Sequence, residues 1–415
     1  MDIRLALVVA ISIISIGCML ARPRGISEAY WACGGALVLT LTRLVSLKRA
    51  GHAVLAGLDV YLFLTGMMIL AELARDGGVF EWIADIAAQH ANGSPARLFL
   101  LIYVTGTVVT ALLSNDATAV VLTPAVLAVV RKARVEPKPY VLACALIANA
   151  ASFILPISNP ANLVIFGNNL PALALWLRMF FLPSVASIVV TFMVLRWISH
   201  SELKTEIHAL GDPVELSVQG KLSLLGLGLA CLALLVASGL GLNLGIPTCG
   251  AALAVLLLIT RRDRSVAGRV FGGVSWSVLP LVAGLFVIVE ALQYVGLLHV
   301  GQGALELLSR APSLRANFAA AFGVGLFSNG MNNLPVGLIS GAAMRGLKTP
   351  SHLANSVLIG VDLGPNLSVT GSLATILWLI ALRRESVEIS AWEFLKIGVV
   401  VMPLAMIGSI LLLGR

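Results

Sequence analysis

Two acidic side chains stand inside apolar stretches of this 415-residue chain, Asp116 within Leu112–Pro124 and Asp362 within Gly360–Asn366. Hydroxyls and amides surround them: Ser114, Asn115 and Thr118; Ser158, Asn159 and Asn162; Ser328, Asn329, Asn332 and Asn333; Asn366, Thr370 and Ser372. No lysine or arginine is among these positions. A carboxylate at membrane depth is costly when ionised and unpaired, so functional use is the first reading, and such a group can also take up a proton. Asp116 and Asp362 are therefore the expected proton-coupling residues. The remaining amides and hydroxyls accept and donate hydrogen bonds without net charge, which suits a neutral polyhydroxylated solute or a cation. A dicarboxylate or sulfate would gain from cationic groups, although helix N-termini and sodium ions can substitute for them. The plainer alternative is that the carboxylates cap half-helices and the amides satisfy unwound backbone.

The elements that must hold these groups follow from hydropathy. Hydrophobic residues make up 59% of the chain and charged residues 12%, and the mean hydropathy is +0.97. A soluble domain of this size needs far more polar surface, so the apolar excess faces lipid. The net charge of +8 sits in short clusters between apolar runs, as in cytoplasmic loops, and argues against nucleic acid as a partner. The first run, 3–20, is too long for a secretory leader and lacks a small-residue cleavage site, so it is expected to remain as a span. With about 20 apolar residues needed per crossing, spans fall near 3–20, 27–45, 54–74, 172–197, 221–240, 245–260, 274–295 and 391–413. Short interfacial segments are expected at 79–91 and 297–309.

Four apolar regions are interrupted. Region 97–130 breaks at Ser114-Asn115-Asp116 and region 315–344 at Ser328–Asn333, both expected as re-entrant hairpins with polar tips. Regions 139–167 and 351–382 break at Pro156–Asn162 and Asp362–Ser372, where prolines and asparagines unwind a helix. The same succession of segments occurs in residues 1–199 and 221–415, joined by a hydrophilic linker at 200–220, and Ser114-Asn115 aligns with Ser328-Asn329 at an offset of 214. The expected fold is thus all-α and polytopic, with about ten transmembrane helices plus two hairpins in two repeats. An odd number of crossings per repeat inverts one repeat against the other, the plan of many secondary transporters, with the solute site near the midplane. Arg22, Arg24, Arg131, Lys132, Arg134, Lys138, Arg261, Arg262, Arg264, Arg383 and Arg384 share the inner face if both termini are external.

The stretches Leu112–Pro124, Ser158–Leu163, Ser328–Pro335 and Gly360–Asn366 resemble the arsenite efflux pump family (arsenical pump membrane proteins) of the ion transporter superfamily, and the resemblance runs over essentially the whole chain. Dicarboxylate carriers of that superfamily have Ser-Asn-Thr at both hairpin tips, whereas the tips here read Ser-Asn-Asp and Ser-Asn-Gly. The resemblance implies extrusion of trivalent arsenite and antimonite in exchange for protons, from the cytoplasmic membrane of a prokaryote. It also implies a partner in some members, a cytoplasmic ATPase subunit. Arsenous acid is largely an undissociated trihydroxide near neutral pH, which a cation-free site fits. The expected solute-binding residues are Ser114, Asn115, Asp116, Asn159, Asn162, Ser328, Asn329, Asn332, Asn333, Asn366 and Thr370. The alternative is a sodium- or proton-coupled carrier of organic or inorganic anions.

Other residues are assigned to the scaffold. The five cysteines (Cys18, Cys33, Cys144, Cys231 and Cys249) have no disulfide or zinc spacing and are expected to pack in the core. Asp59, Glu72 and Glu290 are expected to pair within the scaffold, and the histidines to be solvated. The seven tryptophans are expected in interfacial belts. No P-loop is present, because Gly220-Lys221 is followed by Leu222 and Glu215 stands where glycine is required. No enzymatic activity, cofactor or structural metal is expected.

Overall fold

A computed structural model of the chain describes residues 3–204, 214–345, 347 and 349–413. All regular elements among the described residues are helical. Six are long and apolar enough to cross a bilayer: Ile3–Ala21, Pro95–Leu112, Leu173–Ile198, Val218–Gly239, Ser265–Tyr294 and Ala391–Leu411. Leu47–Ala56 and Leu58–Asp76, bent by 46° at Gly57, make a seventh if taken as one broken span. The other segments expected as crossings are short or broken helices, including Lys138–Ala150, Gly245–Thr260 and Ser351–Leu363. Polar breaks follow Lys138–Ala150 and Ser351–Leu363, so each of those apolar stretches is shared between two half-helices, whereas Gly245–Thr260 is one short uninterrupted helix.

The element order runs twice through one pattern. Ile3–Ala21, Glu28–Leu41, Leu47–Asp76, Val79–Gln89, Pro95–Leu112 and Lys138–Ala150 are followed in the same succession by Val218–Gly239, Gly245–Thr260, Ser265–Tyr294, Leu298–Ser309, Ser313–Met331 and Ser351–Leu363. Partners are exchanged across this succession: Leu58–Asp76 packs along Gly245–Thr260, and Val278–Tyr294 along Glu28–Leu41. The last helices, Leu173–Ile198 and Ala391–Leu411, pack on each other. Of the linker at 200–220, residues 205–213 lie outside the described residues. On its far side the Val214 amide donates to the Asp85 carboxylate at 2.9 Å.

Both interrupted regions turn back, with limbs that differ from the expected arms of about 15 residues. The Thr118 hydroxyl lies 3.4 Å from the carbonyl of Gly106, whereas twelve residues of straight helix would separate them by about 18 Å. The outgoing limbs Pro95–Leu112 and Ser313–Met331 have 18 and 19 residues, long enough to cross. The second return, Asn333–Arg345, is shorter at 13 residues, and the first, from Asn115 to Lys132, contains a π segment, Thr118–Leu122, before Pro124. Proline has no amide hydrogen for the preceding turn, and a widened turn accommodates the loss.

Three sequence expectations need correction. The second turn is at Asn332, whose φ is 74°, so Asn332-Asn333 takes the place of Ser114-Asn115 while Ser328 and Asn329 form the last helical turn before it. Helix Val79–Gln89 is no loose interfacial segment, because Val79, Phe80, Ala84, Ala87 and Ala88 are buried against both limbs of the first hairpin. Trp176 and Trp378 are fully buried, not interfacial. Their indole N–H groups donate to the carbonyls of Phe153 and Val141, each at 3.0 Å, and so brace both broken helices.

Candidate functional site

The first hairpin turns at Ser114, whose backbone is fully extended (φ 177°) and whose hydroxyl accepts from the Ala117 amide at 3.2 Å. Asn115 accepts from the Asp116 amide at 3.0 Å through its own side chain. Both residues are buried, while Asp116 is half-buried and lines a cavity of about 70 Å³. The cavity lies between two groups of elements. Leu64, Met67, Met68, Ala71 and Glu72 of one helix, with Val274, Ser275 and Val278, form one wall. The tip residues Ser114, Asp116 and Ala117, with Val120 and Val121, face them; Pro160, Leu373 and Leu377 from the two broken helices complete the lining. No lysine, arginine, histidine or cysteine lines it.

Each broken helix restarts beside this space with its own cap. The Asn159 side chain accepts from the Ala161 amide at 3.0 Å, with Pro160 as first helical residue. Ser372 accepts from the Thr375 amide at 3.1 Å. Capping residues in extended conformation satisfy orphan amides of the new helix, and a first-turn proline has none to satisfy. Asn159 and Ser372 are thus equivalent pieces of the two interruptions.

Behind the cavity wall lies a second, buried layer of polar side chains. Asp362 is fully buried; its Oδ1 accepts from Asn159 Nδ2 at 2.8 Å, and its Oδ2 has no partner. Asn149 Nδ2 donates to Asn366 Oδ1 at 3.0 Å, and Asn366 Nδ2 to the Leu146 carbonyl at 2.9 Å. Asn162 spends its amide on the carbonyls of Ser152, Leu155 and Pro156 within its own break.

The second hairpin has its own network. Asn329 Nδ2 donates to the carbonyls of Gly325 and Gly364, its Oδ1 accepts from Ser368, and its carbonyl accepts from Thr370. This needs close backbone contact: a Cβ on Gly364 would lie 2.4 Å from the Gly325 Cα. Ser328 is fully buried and donates to the Val324 carbonyl, and Asn333 is buried behind the tip. Asn332, whose side chain caps the Leu334 amide, lines a separate smaller cavity of about 20 Å³ with Glu28, Pro335 and Leu373.

The predicted residues therefore fall into three groups. Ser114 and Asp116 line the main cavity, with Asn115 just behind. Asn159, Asn162, Asn366 and Asp362 are buried behind its wall. Ser328, Asn329, Asn332, Asn333 and Thr370 gather at the second hairpin, on the other side of Leu373. Asp116 and Asp362 do not share one cavity; the Asn159-Pro160 step stands between them, with Pro160 in the wall and Asn159 holding Asp362. Asp59 and Glu290 are paired as expected, Asp59 with the Gly245 amide at 2.8 Å and Glu290 with Arg49 at 3.8 Å. Residues that sequence reasoning missed are Ser275, Asn149, Thr375 and, as a cavity residue, Glu72. Asn149 carried a signal, an amide in the apolar run Val141–Ala150; Ser275 carried none.

A helical bundle of this hydropathy, with breaks that place polar groups around a cavity, has the architecture of a multi-pass membrane transporter. More narrowly, the profile of the citrate transporter family (CitMHS) matches residues 9–360, and the chain belongs to that family. It is 26% identical over 418 residues to the arsenical pump membrane protein of Escherichia coli K12, with 94% of each chain covered. To the arsenical pump membrane protein of Yersinia enterocolitica it is 28% identical over 361 residues, covering 80% of this chain and 81% of that one. The fold is similar to the crystal structure of the Alcanivorax borkumensis YdaH transporter, which is described as having an unusual topology. The TM-score is 0.58 at 16% identity, over 88% of this chain and 86% of that one.

Proposed function

We propose that the chain exports trivalent arsenite and antimonite across the cytoplasmic membrane of a bacterium in exchange for protons. The observation that carries this reading is the main cavity, which holds Ser114, Asp116, Ser275 and Glu72 but no basic side chain. Undissociated arsenous acid presents three O–H groups, and carboxylate and hydroxyl oxygens accept them without a charge that must later be released. Relatives named arsenical pump membrane proteins support the same solute. Asp116 at the cavity and Asp362 behind it are the proton-carrying pair, and a membrane carboxylate with an oxygen lacking any partner, as in Asp362, is poised for that use.

In this reading the chain consists of two repeats, 1–199 and 221–415, in inverted orientation, supported by the doubled element order and exchanged helix partners. Both termini are external. The pairs Arg131–Glu385, Lys132–Asp85, Lys138–Glu393 and Arg269–Asp76 then cluster on the cytoplasmic side, where basic residues favour staying. Any ATP dependence comes from a cytoplasmic ATPase subunit.

Arsenite accumulation in an exporter-deficient cell tests the proposal. Expression of the chain lowers accumulated arsenite, and inverted vesicles show proton movement when arsenite is added. Unchanged accumulation with a well-expressed chain overturns it. A second reading, a sodium- or proton-coupled anion carrier, draws on the family's name. Its mark is citrate or another dicarboxylate uptake by proteoliposomes that do not respond to arsenite.

A further inference from the structure

We infer that Glu72 determines solute specificity by masking Arg75 at the mouth of the main cavity, keeping multivalent anions out. The two side chains point different ways. Glu72 is 13% exposed and lines the cavity together with Asp116, whereas Arg75, one turn later, is 49% exposed and lies outside the lining. Arg75 Nε donates to Glu72 Oε2 at 2.7 Å, and its Nη2 closes on the same oxygen. Side chains three apart on a helix are neighbours, so the pair forms without help from elsewhere.

A third element presses on the pair. A Cβ on Gly273 would lie 2.2 Å from Glu72 Oε2 and 2.4 Å from Arg75 Nη2. The helix Ser265–Gly273 therefore presses on the ends of both side chains, and a larger residue at 273 would have to push the ion pair aside. It is followed at once by Val274, Ser275 and Val278 of the cavity wall. The next cation on this rim, Arg269, is bound by Asp76 and Asp263. Both cations that contact this corner of the wall, Arg75 and Arg269, are thus held by carboxylates, while Asp116 lines the cavity beyond them. A neutral solute feels little of this, whereas a di- or trivalent anion meets a net negative interior in a low dielectric. The local arrangement separates a neutral trihydroxide from a citrate-like anion within a family named for citrate.

The inference rests on the cavity being the solute site, and the test separates the two. Arsenite transport into inverted vesicles is measured with and without citrate and arsenate as competitors, for the native chain, Glu72→Gln, Glu72→Gln with Arg75→Gln, and Asp116→Asn. Glu72→Gln frees the Arg75 guanidinium, so anion inhibition is expected to strengthen about tenfold, and the double variant is expected to return to native insensitivity. Gly273→Ala, which displaces the pair sterically, is expected to raise anion sensitivity in the same direction. Glu72→Gln that transports arsenite and stays insensitive to both anions overturns the mask. Equal anion sensitivity in the single and double variants also overturns it, because Arg75 is then not the group exposed. Full arsenite transport by Asp116→Asn overturns instead the assignment of the cavity.

Discussion

Asn159 Nδ2 donates to Asp362 Oδ1 at 2.8 Å, joining the break of the first broken helix to the end of the helix before the second break. The two residues are 203 positions apart, and both are buried. The bond fixes one carboxylate oxygen and leaves the other without a donor. Asp362→Asn preserves the acceptor for Asn159, so the protein is expected to fold and to melt within a few degrees of native. Proton-driven exchange is expected to fall at least tenfold. Asp362→Leu removes the acceptor and strands the buried Asn159 amide, costing about 1–3 kcal/mol of stability. Thermal unfolding in detergent, alongside vesicle transport, distinguishes the two effects; native exchange by Asp362→Asn would remove the residue from the coupling path.

The Asn149–Asn366 bond at 3.0 Å is the companion link between the two broken regions. Asn149→Ala leaves Asn366 Oδ1 buried with no donor, a loss of about 1–3 kcal/mol. Transport of the folded fraction is expected to survive, since neither side chain lines the cavity. A variant with native melting temperature and lost transport would show that Asn149 acts on the solute itself.

The sequence exposed the breaks better than their geometry. Runs such as Ser114-Asn115-Asp116 and Pro156–Asn162 interrupt apolar stretches long enough to cross, and composition alone reveals that backbone polar groups there need partners. Which side chain meets which partner depends on contacts between distant segments. Asn162 looked like a solute ligand but turns to the carbonyls of Ser152, Leu155 and Pro156. Asn329 likewise bonds the backbone of Gly325 and Gly364. Glu72 reads from the sequence as an acid that pairs within the scaffold, and it does pair with Arg75; that it also lines the cavity with Asp116 required the fold. Trp176 and Trp378 resembled interfacial residues because sequence cannot separate a span's lipid end from a break's buried end.

Those two tryptophans make a stability prediction. Each fills a buried position and donates to a carbonyl of a neighbouring segment. Trp378→Phe keeps most of the volume but loses the bond to the Val141 carbonyl, which retains its helical partner, costing about 0.5–1.5 kcal/mol, while Trp378→Ala adds a cavity and costs about 3–5 kcal/mol. Unfolding in detergent is expected to rank native above Phe above Ala. Equal stability of native and Ala variants would place the indole outside the packed core.

At the rim, Asp263 accepts from the Ser265 hydroxyl at 2.6 Å and the Ser265 amide at 2.9 Å, with Arg269 nearby. These bonds to the charged form, the hydroxyl first, hold its carboxyl below the usual range. A depressed folded value contributes stability above the unfolded value, which is about 4, and that stability is lost as pH falls through the folded value. Asp263→Asn is therefore expected to lower the melting temperature slightly at neutral pH, where the contribution is fully present, and to flatten the acid limb below about pH 4, so that the two profiles converge in acid. An identical acid limb in both proteins would mean the bonds do not form in the folded state.

Asp116 tests the central chemistry. It is the tip carboxylate lining the cavity; no side-chain donor is aimed at it, and the facing wall is mostly Leu64, Met67, Met68 and Val278. An ionised group so placed needs either a solute O–H or a proton, so binding one and releasing the other are linked. Asp116→Asn keeps the size and one acceptor but carries no titrating proton. Net export against a gradient is expected to vanish, while arsenite equilibration down its gradient persists at a reduced rate. Asp116→Glu retains the proton but moves the carboxylate by the length of one methylene, with export expected to fall about tenfold, not to zero. Gradient-driven export by Asp116→Asn at native rate would show that the exchanged proton travels elsewhere, and Asp362 alone would then have to carry it.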